Sequence, residues 1–128
     1  MSKEDTVETF GPYSVVRQAG DTYYISGQVG VNPETKSADP GASAQVSQAL
    51  KNLGSALRSV GLNYDDVVKT TLYLTDMRTF DAVNDTYVQY FTEPRPARTT
   101  VGVASLPHVA GDVRLVFELD AVAVRRTS

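Results

Sequence analysis

Residues 113–124, with the sequence VRLVFELDAVAV, decide the fold class of this chain. Every odd-numbered position is apolar, which predicts a β-strand with one face packed against other elements of the fold. The other face combines charged and apolar side chains, which is unusual for a strand face that is exposed to water. We therefore expect a further surface to cover this face. Its residues are Arg114, Val116, Glu118, Asp120, Val122 and Val124.

Four upstream segments are also predicted to be strands, namely residues 13–18, 22–26, 66–75 and 97–103. The first two form a hairpin, because Gly20-Asp21 between them suits a tight turn. Pro94 and Pro96 prevent the preceding helix from continuing, so the chain enters the fourth segment in an extended conformation. In the third, Val68, Leu72 and Leu74 share one face, opposite Lys69, Thr71 and Tyr73; in the fourth, Arg98, Thr100 and Gly102 share one face.

Two amphipathic helices separate these strands. The first has Ser43 available as its N-cap and Gly61 as its C-terminal stop. Its apolar stripe contains Val46, Ala49, Leu50, Leu53, Ala56, Leu57 and Val60, and the second helix carries Phe80, Val83, Tyr87, Tyr90 and Phe91.

The element order is therefore β-β-α-β-α-β-β, which predicts an α+β fold with a single sheet. Two helices can cover only one face of that sheet. The other face needs a partner surface, and closed symmetric homo-oligomers commonly supply one. We interpret the mixed face of the last strand as an interface between copies of this chain.

Composition limits the classes of function that the chain can have. Its 128 residues, 41% hydrophobic and 21% charged, fit a single domain over residues 1–128. It has no cysteine, and its one histidine, His108, falls in an apparent surface loop, so we expect no metal site. A net charge of −3 argues against nucleic acid as a partner. No apolar run approaches the roughly 20 residues of a membrane span, and the charged start is unlike a signal peptide, so the predicted compartment is the cytoplasm.

Several short motifs resemble, in order and spacing, those of the reactive-intermediate deaminase family, also called the YjgF/UK114 family. Each motif is weak alone, but together they extend over almost the whole chain. They are GPY at 11–13, ISGQ at 25–28, VNP at 31–33, DVVKTT at 66–71, VNDTY at 83–87, PAR at 96–98 and ELDAVAV at 118–124.

The resemblance implies a chorismate-mutase-like fold of the bacillus type, with one β-sheet and two helices on one face. It also implies a homotrimer with its sheets packed inward and three sites in the clefts between subunits. The implied reaction is hydrolysis of 2-aminoacrylate and related imino acids to 2-keto acids and ammonia. The implied partner is thus a small imino or keto acid, and we expect no cofactor.

Arg98 matches the family's anchor for the substrate carboxylate. A guanidinium suits this role because its planar fork meets a carboxylate through two parallel hydrogen bonds. An alternative is that Arg98 forms an ion pair with Glu118 or Asp120 across the strands. The two roles are compatible.

Asp120 matches a family position that usually holds glutamate, and we assign it the water-activating or proton-transferring role. Its shorter arm retracts the carboxylate by about 1 Å, which matters for positioned chemistry. Glu118 also matches the family. For Glu118, pairing with Arg114 or Arg98 at the trimer core is the favoured interpretation over catalysis.

Tyr13, Ser26, Asn84 and Thr100 match positions that line the family's cleft, where hydroxyl and amide groups orient a small substrate. Simpler interpretations exist: Tyr13 could cap the hairpin, Ser26 could end a strand, and Asn84 could lie beside the helix stripe. Thr100 stands where archetypal members carry cysteine, so thiol chemistry is excluded. The loop before Pro96 is also shorter than in archetypes. These three departures from the family pattern bear on which substrate the chain accepts more than on its fold.

Two other functions remain open. One is a non-catalytic module that binds a small carboxylate metabolite through Arg98. The other is the ribonuclease or translation-inhibitor activity attributed to some relatives, against which the missing basic surplus argues.

Overall fold

The computed structural model describes residues 9–126 and contains one five-stranded sheet with two α-helices. Of the charged start, residues 1–8 lie outside the described part. The elements follow the predicted order β-β-α-β-α-β-β. They are β1 (Val16–Ala19), β2 (Thr22–Val29), α1 (Ala42–Arg58), β3 (Val67–Leu74), α2 (Phe80–Tyr87), β4 (Ala97–Gly102) and β5 (Phe117–Val124), with short 3-10 turns at Tyr64–Asp66 and Met77–Thr79.

The strands are arranged in the order β1-β2-β5-β3-β4. β3 and β4 are parallel, and the other neighbouring pairs are antiparallel. The predicted hairpin is confirmed, since Ala19 pairs with Thr22 across the turn. β5 therefore lies at the centre of the sheet, and β1 and β4 form its two edges.

One face of this sheet packs against both helices and forms the core. The odd-numbered residues of β5 are almost fully buried there, as the alternation predicted: Phe117, Leu119, Ala121 and Ala123. The apolar stripe of α1 packs against them, with Leu50, Leu53 and Leu57 fully buried. Among residues 9–126, no helix is long and apolar enough to span a membrane.

The ends of α1 confirm one predicted signal and correct the other. Gly61 has φ +77°, and the Leu62 N–H donates to the Leu57 carbonyl, which is the hydrogen bond of a Schellman stop. The N-cap is Gly41 rather than Ser43, and no side chain caps this end. The predicted cap, Ser43, is the second residue of the helix.

The last strand is shorter than predicted, because a side chain from α1 pairs with the preceding backbone. The fully buried Gln45 accepts from the Val116 N–H at 2.8 Å and donates to the carbonyls of Arg114 at 3.0 Å and Asp39 at 2.9 Å. β5 consequently starts at Phe117 instead of residue 113. Val113 and Leu115 instead join a small second core around Val29 and Val31.

Irregularities in the strands explain the other differences. A register shift between Val67 and Lys69 turns Val68 away from the core, so the prediction that Val68 packs with Leu72 was wrong; its exposed fraction is 48%. A second shift between Ile25 and Gln28 lets β2 run three residues past its predicted end at Ser26. β1 starts at Val16, so Tyr13 precedes it.

Candidate functional site

The structure divides the predicted site residues between the two faces of the sheet. Arg98 pairs with Thr70 and Thr100 pairs with Leu72 in the register of β3 and β4. Thr70 and Leu72 are completely buried beneath the helices, so Arg98 and Thr100 lie on the helix-covered face at the β4 edge. Asp120 pairs instead with Thr71, on the opposite, open face. Each face therefore carries half of the predicted set.

Arg98 is the centre of the first half. Its Nη2 donates to Asn84 Oδ1 at 2.7 Å, and its Nε donates to Thr100 Oγ1 at 2.9 Å. The guanidinium carbon lies 4.9 Å from the centre of the Tyr87 ring and 5.5 Å from that of Phe80, within the range of cation–π contacts. Both donors on Nη1 and one on Nη2 have no acceptor among residues 9–126. The half-buried cation can therefore receive an anionic ligand.

The surroundings of Arg98 also correct three interpretations made from sequence. The cross-strand ion pair of Arg98 with Glu118 or Asp120 was wrong, because those carboxylates lie on the other face of the sheet. Asn84 is not merely beside the helix stripe, since its side chain holds Arg98. Phe80 was predicted to share the buried stripe of α2. It lies at the rim instead, with an exposed fraction of 37%.

The second half is a cavity of about 540 Å³ on the open face. Tyr13, Ser26, Glu118 and Asp120 line it together with apolar side chains of β2 and β5. The Ser26 hydroxyl donates to the Ser14 carbonyl at 2.5 Å, which ties the segment containing Tyr13 to β2. Ser26 lies inside β2 and does not end it. Tyr13 keeps an exposed fraction of 49%, so its ring is available at the mouth of the cavity.

Asp120 is held by a neighbouring strand. The Tyr73 hydroxyl donates to Asp120 Oδ2 at 2.7 Å. This hydrogen bond is the main reason that the pKa of Tyr73 rises to about 12, with burial and the Asp120 charge adding to it. The proton therefore stays on Tyr73, and the bond fixes the position of one Asp120 oxygen.

Glu118, the second carboxylate of the cavity, is about half-buried. Burial, and then the charge of Asp120, raise the pKa of Glu118. Among residues 9–126 it forms no ion pair, so the predicted pairing with Arg114 or Arg98 does not occur within one subunit. A carboxyl with a raised pKa is better suited than an ordinary carboxyl to take up and release a proton in a reaction.

Gly27 makes room for this carboxyl. A Cβ at position 27 would lie 2.8 Å from the Glu118 Cδ, closer than real side chains approach. The glycine lies within the irregular part of β2, between Ile25 and Gln28. Glu118 was predicted from the sequence to have a structural role. The ISGQ motif could have linked Glu118 to the cavity had the register of β2 on β5 been known.

Side chains that could bind a metal ion do not cluster in the described part of the chain. Among the described residues, no three Asp, Glu or His side chains lie close enough together to share a metal ion. His108 is exposed in the segment between β4 and β5, as predicted.

Comparison with known proteins identifies the family of this chain. The sequence profile of the family described as "Endoribonuclease L-PSP" matches residues 3–125. The chain belongs to this family, the reactive-intermediate deaminases. A relative within it, the 2-iminobutanoate/2-iminopropanoate deaminase of Mus musculus, is 43% identical over 116 residues, which cover 90% of this chain and 82% of the relative.

Solved structures of reactive-intermediate deaminases share the fold. RidA from the Antarctic bacterium Psychrobacter sp. PAMC 21119 superposes with a TM-score of 0.88 at 34% identity, covering 97% of both chains. TdcF of E. coli, solved with bound serine, superposes with a TM-score of 0.86 at 30% identity, covering 98% of this chain and 97% of that one. The α+β fold with one sheet and two helices, expected from the sequence, is thus confirmed.

Proposed function

We propose that this protein is an imine and enamine deaminase that hydrolyses intermediates of the 2-aminoacrylate type to 2-keto acids and ammonia. The observation that carries the proposal is Arg98, held in place by Asn84 and Thr100 with N–H donors left for an anionic ligand. The names of the relatives, which include 2-iminobutanoate/2-iminopropanoate deaminases, support the same reaction.

The active unit in this proposal is a homotrimer with sites between subunits. A three-carbon substrate cannot reach both faces of one sheet, so Arg98 of one subunit must meet the cavity of the next. Contact between two different surfaces closes into a ring when the rotation between subunits fits. The open face is suited to such contact, since it carries the exposed Tyr24 and Val101 beside the polar Lys69 and Tyr73.

Each site residue has a role in the proposed chemistry. Arg98 binds the carboxylate, and Glu118 accepts a proton from a water whose oxygen bonds to the imine carbon. Glu118 then donates that proton to the nitrogen, which gives a tetrahedral amino alcohol. Glu118 next transfers the hydroxyl proton of this intermediate to the amino group, so the C–N bond breaks, ammonia leaves and the carbonyl forms. Asp120, which the sequence predicted to activate the water, lies beside Glu118 on the same face of β5 and orients the water through its second oxygen.

The remaining cleft residues orient the substrate. Tyr13 and Ser26 line the cavity of one subunit, and we assign their hydroxyl groups to orienting the substrate there. Asn84 and Thr100 belong to the Arg98 half. The single-domain extent over residues 1–128 and the cytoplasmic location stay predictions.

A trapping assay tests the reaction. The protein is added to a serine dehydratase reaction that contains semicarbazide, which competes with water for the imine. We expect the wild type to reduce semicarbazone formation and increase free pyruvate. Arg98→Ala should lose this effect, whereas Arg78→Ala, which removes an arginine with a side chain 91% exposed, should keep it. Unchanged semicarbazone with the wild type would contradict the proposal.

A second candidate is a non-catalytic module that binds a small carboxylate. The serine in the E. coli TdcF structure favours it, because an amino acid occupies a relative of this fold. Arg98 serves both functions, and only the cavity carboxylates distinguish them. Binding of pyruvate without any effect in the trapping assay would select this candidate. The endoribonuclease named in the family description gains no support from a chain of net charge −3.

A further inference from the structure

The guanidinium of Arg98 has two edges that can each present a pair of N–H donors to a carboxylate. One edge joins Nε and Nη2, and the other joins Nη1 and Nη2. Here Nε donates to Thr100 Oγ1 at 2.9 Å and Nη2 donates to Asn84 Oδ1 at 2.7 Å. Side chains of the chain itself therefore engage both nitrogens of the Nε–Nη2 edge.

A second layer restricts how Arg98 can turn. The Tyr87 ring lies 4.9 Å from the guanidinium carbon, and its hydroxyl is hydrogen-bonded to the Thr70 hydroxyl at 2.8 Å. Thr70 is fully buried and is the register partner of Arg98. Moving the ring would break a buried hydrogen bond, which is costly because its groups would be left without partners. The ring and the two bonds together fix one orientation of the guanidinium.

We propose that Thr100 and Asn84 are positioning residues that make Arg98 receive a carboxylate on its Nη1–Nη2 edge. The inference rests on the proposed function and specifies how its anchor works. Both residues were predicted to line the cleft as substrate-binding groups. In this arrangement they act through Arg98, and the bound carboxylate lies at the far end of the side chain.

Binding of pyruvate, a small keto acid, tests the positioning role without requiring turnover. Thr100→Val keeps the branched shape and removes the hydroxyl acceptor. We expect calorimetry to show a Kd for pyruvate raised about 5- to 10-fold, as for one lost hydrogen bond. Thr100→Ser should restore the wild-type value, and Thr92→Val, which changes an exposed loop residue, should leave it unchanged. In the deamination assay, Thr100→Val should raise KM by the same factor with kcat nearly unchanged.

Nitrogen NMR of the Arg98 side chain tests which edge of the guanidinium binds the carboxylate. On saturation with pyruvate, the Nε–H signal should move little, because its acceptor stays Thr100. The Nη signals should become resolved, because binding stops rotation about the Cζ–Nη bonds. A large shift of the Nε–H signal would place the carboxylate on the other edge and overturn the inference.

The outcomes separate this inference from the proposed function. If the wild type binds pyruvate and Thr100→Val binds it equally well, the positioning role is wrong and the anchor stands. If Thr100→Val lowers kcat with an unchanged Kd, Thr100 acts in the chemistry and the inference fails. A wild type that binds no pyruvate would overturn the anchor itself and this inference with it.

Discussion

The two carboxylates of the cavity can be separated by substitutions that keep their shapes. Glu118→Gln removes the group proposed to carry the proton. We expect deamination to fall by roughly 10²- to 10⁴-fold, as is typical when a general acid–base group is lost. Asp120→Asn removes a neighbouring charge and leaves the proton carrier in place. Its main expected effect is therefore a change in the pH at which Glu118 ionises, with a smaller loss of rate from the less ordered water.

The size of this change follows from the strand geometry. Residues 118 and 120 lie on the same face of β5, so their carboxylates are about 7 Å apart at the strand rise of about 3.3 Å per residue. Two unit charges at that distance interact by about 2 kcal/mol at an effective dielectric constant of 20, and by about 0.6 kcal/mol in bulk water. Solvent screening of the half-buried Glu118 favours the lower part of this range. Removing the Asp120 charge should therefore lower the pKa of Glu118 modestly, because this charge is the smaller of the two causes that raise it.

The direction of the shift is fixed by the causes of the raised pKa. Burial raises the pKa of Glu118, and the charge of Asp120 raises it further. Glu118 must be ionised to accept a proton from water, so kcat/KM should rise with pH through its raised pKa. Asp120→Asn removes the smaller cause, so this rise should move to lower pH while burial keeps it above the ordinary carboxyl range.

The assay is the pH dependence of kcat/KM for 2-aminoacrylate generated in place, measured for the wild type, Asp120→Asn and Glu118→Gln. Tyr73→Phe is a useful companion, because it removes the hydrogen bond to Asp120 and keeps the charge. The reasoning is refuted if Glu118→Gln keeps wild-type activity. If the rise of kcat/KM with pH occurs at the same pH in Asp120→Asn as in the wild type, the two carboxylates are not coupled. A loss of 10²-fold or more in Asp120→Asn alone would return the proton-transfer role to Asp120.

Three further predictions concern the anchor, the assembly and the core. Arg98→Ala should lower kcat/KM by about 10²- to 10⁴-fold, because two charge-assisted hydrogen bonds of about 1.5 to 3 kcal/mol each are lost. Arg98→Lys should not restore kcat/KM fully, since an ammonium lacks the planar pair of donors that a guanidinium presents. A folded Arg98→Ala variant with wild-type activity would contradict the role of Arg98 as the carboxylate anchor. Light scattering should give about three times 13.9 kDa, and a monomer at micromolar concentration contradicts the shared site. Gln45→Leu should lower the melting temperature by about 10 °C, corresponding to about 3 kcal/mol for three lost hydrogen bonds of a fully buried side chain, while the exposed Gln89→Leu should not.

Local patterns in the sequence predicted most of the fold. The alternation of residues 117–124, the stripe of α1 and the glycine at position 61 each act within a few residues, so their effects were visible in one dimension. The predictions that were wrong involve contacts between distant segments. Val68 is turned outward by a shift in pairing with β5, and Gln45 ends β5 early from another part of the chain.

The sequence by itself determined the element order, the single sheet and the residue types available for chemistry. It also identified Arg98, because a motif around an arginine can be recognised without knowing its neighbours. Only the tertiary structure decided which residues meet. It put Arg98 with Asn84 and Thr100 on one face and Glu118 with Asp120 on the other, and it gave Glu118 the raised pKa. The physical reason is that strand register and burial set hydrogen-bond partners and hydration, and both depend on segments far apart in the chain.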